Sequence, residues 1–495
     1  MLPIPPIRVR AANDVDVTDG DYLLYWMVAF RRPRWNFALQ HAAACAQKLG
    51  KPLVILEALR VGYPWASDRL HRFVLDGMRA HAGYFESKNV VYLPYVEPEH
   101  GAGRGLLAAL AKRACLVVSD DYPSFFIPKM HDAAAKKLDT RLELVDGNGL
   151  LPMRVAEKTY SRAFDFRRFL QKTLPAHLGD MPLEDPIEDL PEISESFSET
   201  VHQAIESWPL ASAEALRGET LASLPIDHNV AAVDFEGGFI AGEQQMHDFL
   251  DGAFSRYGED RNHPDDGSSS GLSPWLHFGH VSAHQVFHEV AANEGWSPEQ
   301  LAEKVNGARE GWWGMSGNAE SFLDELITWR EVGFNMCALD PDFDKYESLP
   351  AWARKTLEEH ESDPRPYLYT LEQLERAETE DQVWNAAQTE LTETGRMHNY
   401  LRMLWGKRIL EWTPTARDAL AIMIELNNKY AVDGRDPNSY SGIFWVLGRY
   451  DRAWGPERPI FGKIRYMSSA NTLRKLRMRE YLARFGGQAE LFHGA

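Results

Sequence analysis

Residues 22–58 read YLLYWMVAFRRPRWNFALQHAAACAQKLGKPLVILEA, and this stretch decides the fold of the first part of the chain. The apolar run at 22–29 has the length of a buried strand, and residues 52–58 have the same character. Between them, residues 34–49 place apolar side chains at the spacing of a helix that buries one face. A strand, a helix and a second strand in this order predict two parallel strands joined by a crossover helix.

The same alternation continues to residue 145. We predict further helices at 71–86, 105–113 and 126–137, and further strands at 90–93, 116–119 and 142–145. The expected fold class is therefore an α/β N-terminal domain, whose parallel, Rossmann-like sheet carries helices on both faces. No G-x-G-x-x-G motif follows the first strand, so a nucleotide-binding role for this half has no support from a motif.

The character of the chain changes twice beyond this sheet. Residues 180–227 are acidic and rich in proline, which is typical of a linker with short helices. From residue 228 onward the apolar spacing is helical, which predicts an all-helical C-terminal domain. We divide the chain into a tail (1–20), an α/β domain (21–179), a linker (180–227) and a helical domain (228–495).

Composition excludes several classes of protein. A chain of 495 residues is too long for one ordinary core, and its apolar content of 44% suits a globular protein. No apolar run approaches the roughly 20 residues that span a bilayer, and the first residues lack the layout of a signal peptide. The three cysteines are far apart and form neither a disulfide framework nor a metal site. We expect no metal, no membrane and a cytoplasmic protein with reduced thiols.

The net charge of −19 conceals a basic segment near the C-terminus. Residues 441–484 contain ten basic and three acidic residues, a local charge of +7. A basic run is often only a solvated helix face. The contrast with an acidic whole favours a surface that contacts phosphates.

The first chemical motif is YGEDRNHPDDGSSSGLSPWLHFGH at 257–280. Ser273 precedes Pro274, and proline is favoured as the first helical residue, so Ser273 is predicted to be a helix N-cap. The free backbone N–H groups of such a helix start suit a pyrophosphate. Judged by itself, this motif is better explained as an ordinary serine-capped helix.

The second motif is ESFLDELITWREVGFN at 320–335. Glu325 and Trp329 are four residues apart and share one face of a helix. A carboxyl group beside an aromatic plate can receive a stacked base pair and hydrogen-bond its carbonyl edge. Judged by itself, a surface glutamate near a core tryptophan is the simpler explanation.

The third motif lies at 384–412 and forms one helical stripe, whose members are His398, Arg402, Trp405, Ile409 and Trp412. An arginine in such a stripe needs a partner, because arginine is almost never buried unpaired. We predict Asp433 as the carboxylate that pairs with Arg402. Judged by themselves, the tryptophans are better explained as core side chains.

Residues 429–467 read KYAVDGRDPNSYSGIFWVLGRYDRAWGPERPIFGKIRYM, which combines acids beside an arginine, two tryptophans and a basic run. This segment, together with SGLSPWLHFG at 270–279, closely resembles class II cyclobutane pyrimidine dimer (CPD) photolyases. The resemblance is dense from about 257 to 481 and weak in the N-terminal half. It implies an α/β domain followed by a helical FAD-binding domain. It also implies a carbon–carbon lyase that repairs DNA by electron transfer from reduced FAD to a flipped-out dimer.

The resemblance assigns roles to particular residues. Glu325, Asn427 and the aromatic plates Trp329 and Trp445 stand at its catalytic positions, and Trp405, Trp384 and Trp412 stand at those of its electron-transfer chain. Its FAD contacts fall on Tyr257, Ser270, Leu272, Ser273, Asn385, Gln388, Arg402, Asp433, Asp436 and Asn438. Its DNA contacts fall on Arg261 and Arg465, and the basic residues Lys463 and Arg458 extend that surface.

The expected partner is UV-damaged DNA, bound by a monomer. An 8-hydroxy-5-deazaflavin antenna is left open, because Ala29 and Phe30 stand where typical members carry polar or charged residues. The alternative function is a cryptochrome-like blue-light photoreceptor with bound FAD. Such proteins often carry long signalling tails, whereas this sequence ends soon after its last predicted helix, which favours the enzyme. A third hypothesis is a flavoprotein without photochemistry, against which the intact pocket residues argue.

Overall fold

The computed structural model describes residues 3–486. The chain forms two compact units: unit 1 comprises Met1–Glu157, Thr173–His247 and Leu272–Ala292, and unit 2 comprises Lys158–Lys172, Asp248–Gly271 and Asn293–Ala495. The predicted domains follow chain order and these units do not, so the domain bounds stay a prediction. The ends of those predicted domains, at 1–2 and 487–495, lie outside the described residues.

Unit 1 contains a six-stranded sheet, which confirms the predicted α/β fold. Its strands are β1 (Val9–Ala11), β2 (Tyr22–Met27), β3 (Leu53–Leu59), β4 (Val91–Val96), β5 (Ala114–Asp120) and β6 (Leu142–Val145). Their order across the sheet is β1-β6-β5-β2-β3-β4. Every residue of β2 and of β5 is buried, which explains their unbroken apolar runs.

The sheet differs from the prediction at one edge. Strand β1 falls in the segment predicted as a tail, and it pairs antiparallel with β6, with Val9 opposite Val145. The other four strand pairs are parallel. The sheet is therefore mostly parallel, with one short antiparallel strand that covers its edge.

A buried carboxylate fixes the loop that follows β2. Asp120, the last residue of β5, accepts hydrogen bonds from the backbone N–H groups of Val28, Ala29 and Phe30 at 2.8, 2.8 and 2.9 Å. The hydroxyl of Tyr25 donates a fourth at 2.7 Å. This carboxylate satisfies three buried amides that no strand partner reaches, and it holds Ala29 and Phe30 in place.

The helices in chain order are α1 (Phe37–Leu49), α2 (Asp68–Phe85), α3 (Leu106–Ala111), α4 (Ile127–Ala135), α5 (Ala163–Thr173), α6 (Glu195–Ala204), α7 (Ala213–Leu216), α8 (Phe239–Asp251), α9 (Tyr257–Asp260), α10 (Ser273–His277), α11 (Ala283–Asn293), α12 (Gly317–Leu323), α13 (Arg330–Leu339), α14 (Ala351–Glu359), α15 (Leu371–Glu375), α16 (Gln382–Thr394), α17 (Asn399–Trp412), α18 (Ala416–Tyr430), α19 (Pro437–Val446), α20 (Ser469–Lys475) and α21 (Arg479–Phe485). Within residues 3–486, none of them combines the length and the apolar character that a bilayer-spanning helix needs.

Helix α1 begins three residues later than the apolar pattern predicts. The side chain of Asn36 accepts hydrogen bonds from the N–H groups of Ala38 and Leu39, at 2.9 and 3.2 Å, and so caps the helix. Trp35 has a φ of 51°, which no helix continues through. The helix ends at Gly50, whose φ of 63° is the left-handed conformation that favours glycine.

Unit 2 is helical where described, which confirms the predicted all-helical C-terminal region. Helices α16, α17, α18 and α19 pack on one another around a single apolar core. Trp384, Trp405 and Trp412 lie in that core with exposed fractions of 0%, 2% and 0%. These four helices carry nine of the residues to which the sequence assigned a function.

Candidate active site

The segment Asp324–Trp329 is a turn of π-helix between α12 and α13. Such turns insert one extra residue and recur at functional sites. Glu325 and Trp329 are partly exposed while the four other residues of the turn are buried, so the two predicted side chains share its open side. On the buried side, Asp324 accepts two hydrogen bonds from Arg167, at 2.6 and 2.9 Å, which pin the turn.

Glu325 forms an ion pair with Arg261. Arg261 Nη1 lies 2.7 Å from Glu325 Oε1, and it donates a hydrogen bond of 3.3 Å to the hydroxyl of Tyr257. Burial raises the pKa of Glu325, and the Arg261 guanidinium opposes that rise. The structure thus brings three predicted site residues together, with a carboxyl group that retains a proton more readily than an exposed one.

The predicted ion pair between Arg402 and Asp433 is present. Arg402 Nη2 lies 3.0 Å from Asp433 Oδ1, and the two side chains are 21% and 14% exposed. Arg402 stands on α17, and Asp433 lies in the loop between α18 and α19. Both side chains are partly exposed, so a ligand can reach the pair.

The three predicted electron-transfer tryptophans form one buried array. The rings of Trp405 and Trp384 are parallel with centroids 6.5 Å apart, and those of Trp384 and Trp412 are 5.5 Å apart at 75°. Trp384 Nε1 donates to the carbonyl oxygen of Trp405 at 3.0 Å. Because α17 carries both Arg402 and Trp405, the array begins on the same helix as the open ion pair.

The amide residues near this array are engaged in protein contacts. Gln388 Oε1 accepts from Trp405 Nε1 at 2.8 Å, and Asn385 bonds to Thr379 through both its Oδ1 and its Nδ2. Asn427 Nδ2 donates to Ser439 Oγ at 2.7 Å and to Asn428 Oδ1 at 3.2 Å. Both amide hydrogens of Asn427 are therefore used, which leaves its Oδ1 to accept a hydrogen bond.

Two further predicted contacts lie at the start of α19. The side chain of Asp436 accepts from the N–H of Asn438 at 2.7 Å and so caps this helix. The Asn438 side chain is exposed. Their predicted roles in FAD binding, like those of Asn385 and Gln388, stay predictions.

The serine-rich segment differs from its prediction. Helix α10 begins at Ser273 itself, its N-cap is Leu272, and no side chain caps it. The predicted Ser273 cap is wrong because Leu272 has helical angles (φ −76°, ψ −12°), whereas an N-cap residue is extended. Leu272 is buried, Ser273 is exposed and Ser270 is half-buried, and their contacts with a phosphate stay predictions.

Trp445 is flanked by two cations. Lys407 Nζ lies 4.7 Å and Arg465 Cζ lies 5.5 Å from the centroid of its ring. Arg465 also lies 4.1 Å from the ring centroid of Trp454, and Asp451 accepts two hydrogen bonds from it at 2.9 and 3.2 Å. The sequence pointed to Arg465 but not to Lys407, since a single lysine within a helix carries no signal of the ring that it faces.

The remaining predicted DNA contacts lie on the surface. Lys463 Nζ pairs with Glu457 at 3.1 Å, with both side chains about half exposed, and the exposed Arg458 lies over the ring of Tyr466 at 4.7 Å. Both cations project from the segment between α19 and α20. They remain free to exchange these weak surface contacts for phosphates.

Comparison with a solved structure identifies the fold. A bacterial class III photolyase from Agrobacterium tumefaciens superposes with a TM-score of 0.64 over 94% of this chain and 87% of that chain, at 16% sequence identity. At that identity the likeness establishes the fold, which is the photolyase fold.

Comparison of sequences establishes the family. Deoxyribodipyrimidine photo-lyases from Methanothermobacter thermautotrophicus and Arabidopsis thaliana are each 33% identical to this chain, over 97% of its length and over 98% and 92% of theirs. That of Oryza sativa is 32% identical over 98% of this chain. The chain belongs to the deoxyribodipyrimidine photo-lyases, in their class II group. No protein-family model matches it.

Proposed function

We propose that this protein repairs cyclobutane pyrimidine dimers in DNA in a light-driven reaction that uses reduced FAD. Its full-length relatives are photo-lyases of deoxyribodipyrimidine. The observation that carries the proposal is the tryptophan array, which runs from Trp405, beside Arg402 on α17, through Trp384 to Trp412. A buried array of parallel and edge-on indoles, leading away from an open ion pair, suits the delivery of single electrons to a bound flavin.

The residues present fit FAD. The Arg402 guanidinium, the Asp433 carboxylate and Asn427 Oδ1 supply a cationic donor, an anionic acceptor and a neutral acceptor, carried by the packed helices α17 and α18 and by the loop that follows α18. A flavin ring presents carbonyl oxygens and N–H groups along its polar edge. The guanidinium can donate to those carbonyl oxygens, and the two acceptors can receive those N–H groups. When bound and reduced, FAD supplies an electron on absorbing blue or near-UV light.

The part of the site that would bind the damaged bases is formed by the residues around Glu325 and Trp445. Glu325 hydrogen-bonds the polar edge of the dimer, and Arg261 beside it stabilises negative charge that develops on the bases. Trp329 and Trp445 supply flat surfaces on which a flipped-out dimer stacks. Lys463 and Arg458 contact the phosphates that flank it.

The test is light-dependent repair of a defined substrate. Purified protein, loaded with FAD and chemically reduced, is incubated with an oligonucleotide that contains one thymine dimer, under blue light or in darkness. We expect the dimer to revert to two thymines in light only, measured by restored cleavage at a restriction site that overlaps it. Intact dimers after illumination, with reduced FAD bound, would contradict the proposal.

A further inference from the structure

Lys407 is a fully buried lysine in the middle of α17, with an exposed fraction of 0%. Its Nζ donates a hydrogen bond of 2.6 Å to the carbonyl oxygen of Val446, the last residue of α19. The same ammonium lies 4.7 Å from the ring centroid of Trp445. Within residues 3–486, no carboxylate oxygen lies within 4.0 Å of this ammonium, so Lys407 has no ion-pair partner there.

A buried ammonium without a carboxylate is unusual, because desolvation of the charge must be offset locally. Here the offset comes from one end of a helix. The Val446 carbonyl has no partner within α19, the helix dipole places partial negative charge there, and the face of the Trp445 ring attracts a cation. The lysine therefore binds the end of α19 and the ring that this end presents.

Two charged groups from the next segment face Lys407. Asp451 favours its charged form, whereas Arg465, which forms a bidentate ion pair with Asp451, opposes it. Burial is the largest influence and lowers the pKa of Lys407 to about 7. Lys407 therefore changes its charge within the neutral range, unlike an exposed lysine.

We propose that Lys407 is a positioning residue that couples the uptake of a proton to the binding of damaged DNA. In its charged form it holds Trp445 in the orientation that stacks on the dimer. A DNA phosphate at Arg465 brings negative charge to the same cluster and stabilises the ammonium. This inference rests on the proposed function, since it takes Trp445 as a surface of the lesion pocket.

The direction of the coupling follows from the charges. At about pH 8 most of the free protein carries neutral Lys407, and an arriving phosphate raises the pKa of the lysine, so binding takes up a proton. At about pH 6 the lysine is already charged and no uptake occurs. Affinity for the dimer should fall as pH rises through this range, by about tenfold for each unit by which binding raises the pKa.

Isothermal titration calorimetry measures the proton directly. FAD-loaded protein is titrated in darkness with a thymine-dimer oligonucleotide at about pH 7.5, in phosphate and in Tris, whose ionisation enthalpies differ. We expect the native protein to take up protons when it binds the dimer. Lys407→Met should take up fewer, and the difference is the contribution of Lys407. Lys355→Met is the matched control, because Lys355 is 75% exposed and, within residues 3–486, its ion pair is with Glu359 on its own helix. It should behave like the native protein.

Each outcome has one meaning. An undamaged oligonucleotide that binds as tightly as the dimer would overturn the proposed function and this inference together. Dimer-specific binding with equal proton uptake in native protein and Lys407→Met would overturn the inference alone. Should Lys407→Met fail to fold, Lys407→Arg keeps a cation that does not titrate near neutrality. It should bind the dimer without the pH step, and a persisting step would contradict the inference.

Discussion

Glu325 shows how one residue acquires its chemistry from its neighbours. Its side chain is 29% exposed, on the open side of a π-helical turn, and Arg261 lies 2.7 Å away. Burial raises the pKa of the Glu325 carboxyl group, so it is a better proton carrier than an ordinary surface glutamate, while Arg261 keeps it oriented. A group in this position can donate a hydrogen bond to a base and then support negative charge on it.

We therefore expect Glu325→Gln to lower the yield of dimer repair by at least about tenfold, since a hydrogen bond that involves a charged group contributes roughly 1.5–3 kcal/mol. Glutamine keeps the shape but has neither the acidic proton nor the charge. The repair yield per absorbed photon is the measurement, with FAD content checked by absorbance. Glu359→Gln, an exposed carboxylate on α14, serves as the control. Equal yields in the two variants would exclude this role for Glu325.

For individual residues, the sequence predicted ion pairs better than it predicted helix caps. The ion pair of Arg402 and Asp433 was predictable because an arginine within an apolar helical stripe requires a carboxylate, whatever the backbone does. The Ser273 cap was not, since it depends on the backbone angles of Leu272, which no residue pattern reports. Lys407 was missed for a related reason. Its charge becomes important because the C-terminal end of α19 packs against it, and the sequence does not show this contact.

Among the elements, α17 joins the two halves of the proposed chemistry. It carries Arg402 of the open ion pair, two of the three tryptophans of the array, and Lys407, which faces Trp445 on α19. Residues at steps of three and four share one face, while Lys407 lies two positions beyond Trp405 and faces another. In the proposed function, one helix thus supplies the residues for electron transfer and supports a tryptophan of the lesion pocket.

Trp412→Phe should slow the photoreduction of oxidised FAD by at least about tenfold and leave repair by pre-reduced enzyme unchanged. Phenylalanine is far harder to oxidise than tryptophan. The Trp412 indole N–H has no hydrogen-bond partner within residues 3–486, so the change removes no such bond. Photoreduction is followed by the loss of oxidised-flavin absorbance under blue light. Trp312→Phe, which alters a tryptophan that is 4% exposed and outside the array, is the control. Equal slowing in both variants would point to packing instead of electron transfer.

The elements themselves were predicted unevenly. Strands β2 to β6 were found because a strand buried on both faces is an unbroken apolar run. Strand β1 escaped because it has only three residues, is partly exposed, and exists only through its pairing with β6. The π-helical turn at Asp324–Trp329 was invisible too, since its apolar spacing resembles that of an ordinary helix over so few residues.

For the molecule as a whole, charge is distributed very unevenly. The chain carries −19 overall and +7 over residues 441–484, so an approaching DNA strand is repelled by most of the surface and attracted by this segment. The antenna chromophore stays a prediction at this scale. The basic segment, in contrast, leads to a quantitative expectation about salt.

Lys463→Ala should weaken binding to damaged and undamaged DNA alike, and should reduce the slope of log affinity against log salt concentration by about 1. The reason is that a phosphate contact releases one condensed counterion whatever the sequence. Fluorescence anisotropy across a salt series gives the slope. Lys355→Ala changes a lysine that is also paired with a glutamate on the surface, yet lies outside the basic segment. Its slope should equal that of the native protein, and a matching slope for Lys463→Ala would remove that residue from the DNA interface.

The stability of unit 1 depends on a buried charged cluster around Glu57, on β3. Its carboxylate is fully buried and accepts from His81 at 2.7 Å, Arg31 at 2.7 Å and Tyr92 at 2.6 Å. Burial alone would raise the pKa of Glu57, but the charges and hydrogen bonds of these three neighbours outweigh it and lower that pKa to about 2. Folding thus favours the ionised carboxylate.

A lowered pKa fixes the sign of the pH dependence. The stabilisation by Glu57 is fully present above the ordinary pKa of a glutamate, about 4.5, and it is lost as pH falls towards 2, because protonation then favours the unfolded chain. Glu57→Gln should lower the free energy of unfolding at neutral pH by about 3 kcal/mol, since it leaves the largely buried charge of Arg31 uncompensated. Its melting temperature should then vary less between about pH 5 and pH 2 than that of the native protein. Glu199→Gln, on the exposed surface of α6, should keep the native dependence. If Glu57→Gln kept it as well, other carboxylates would govern the acid unfolding of this protein.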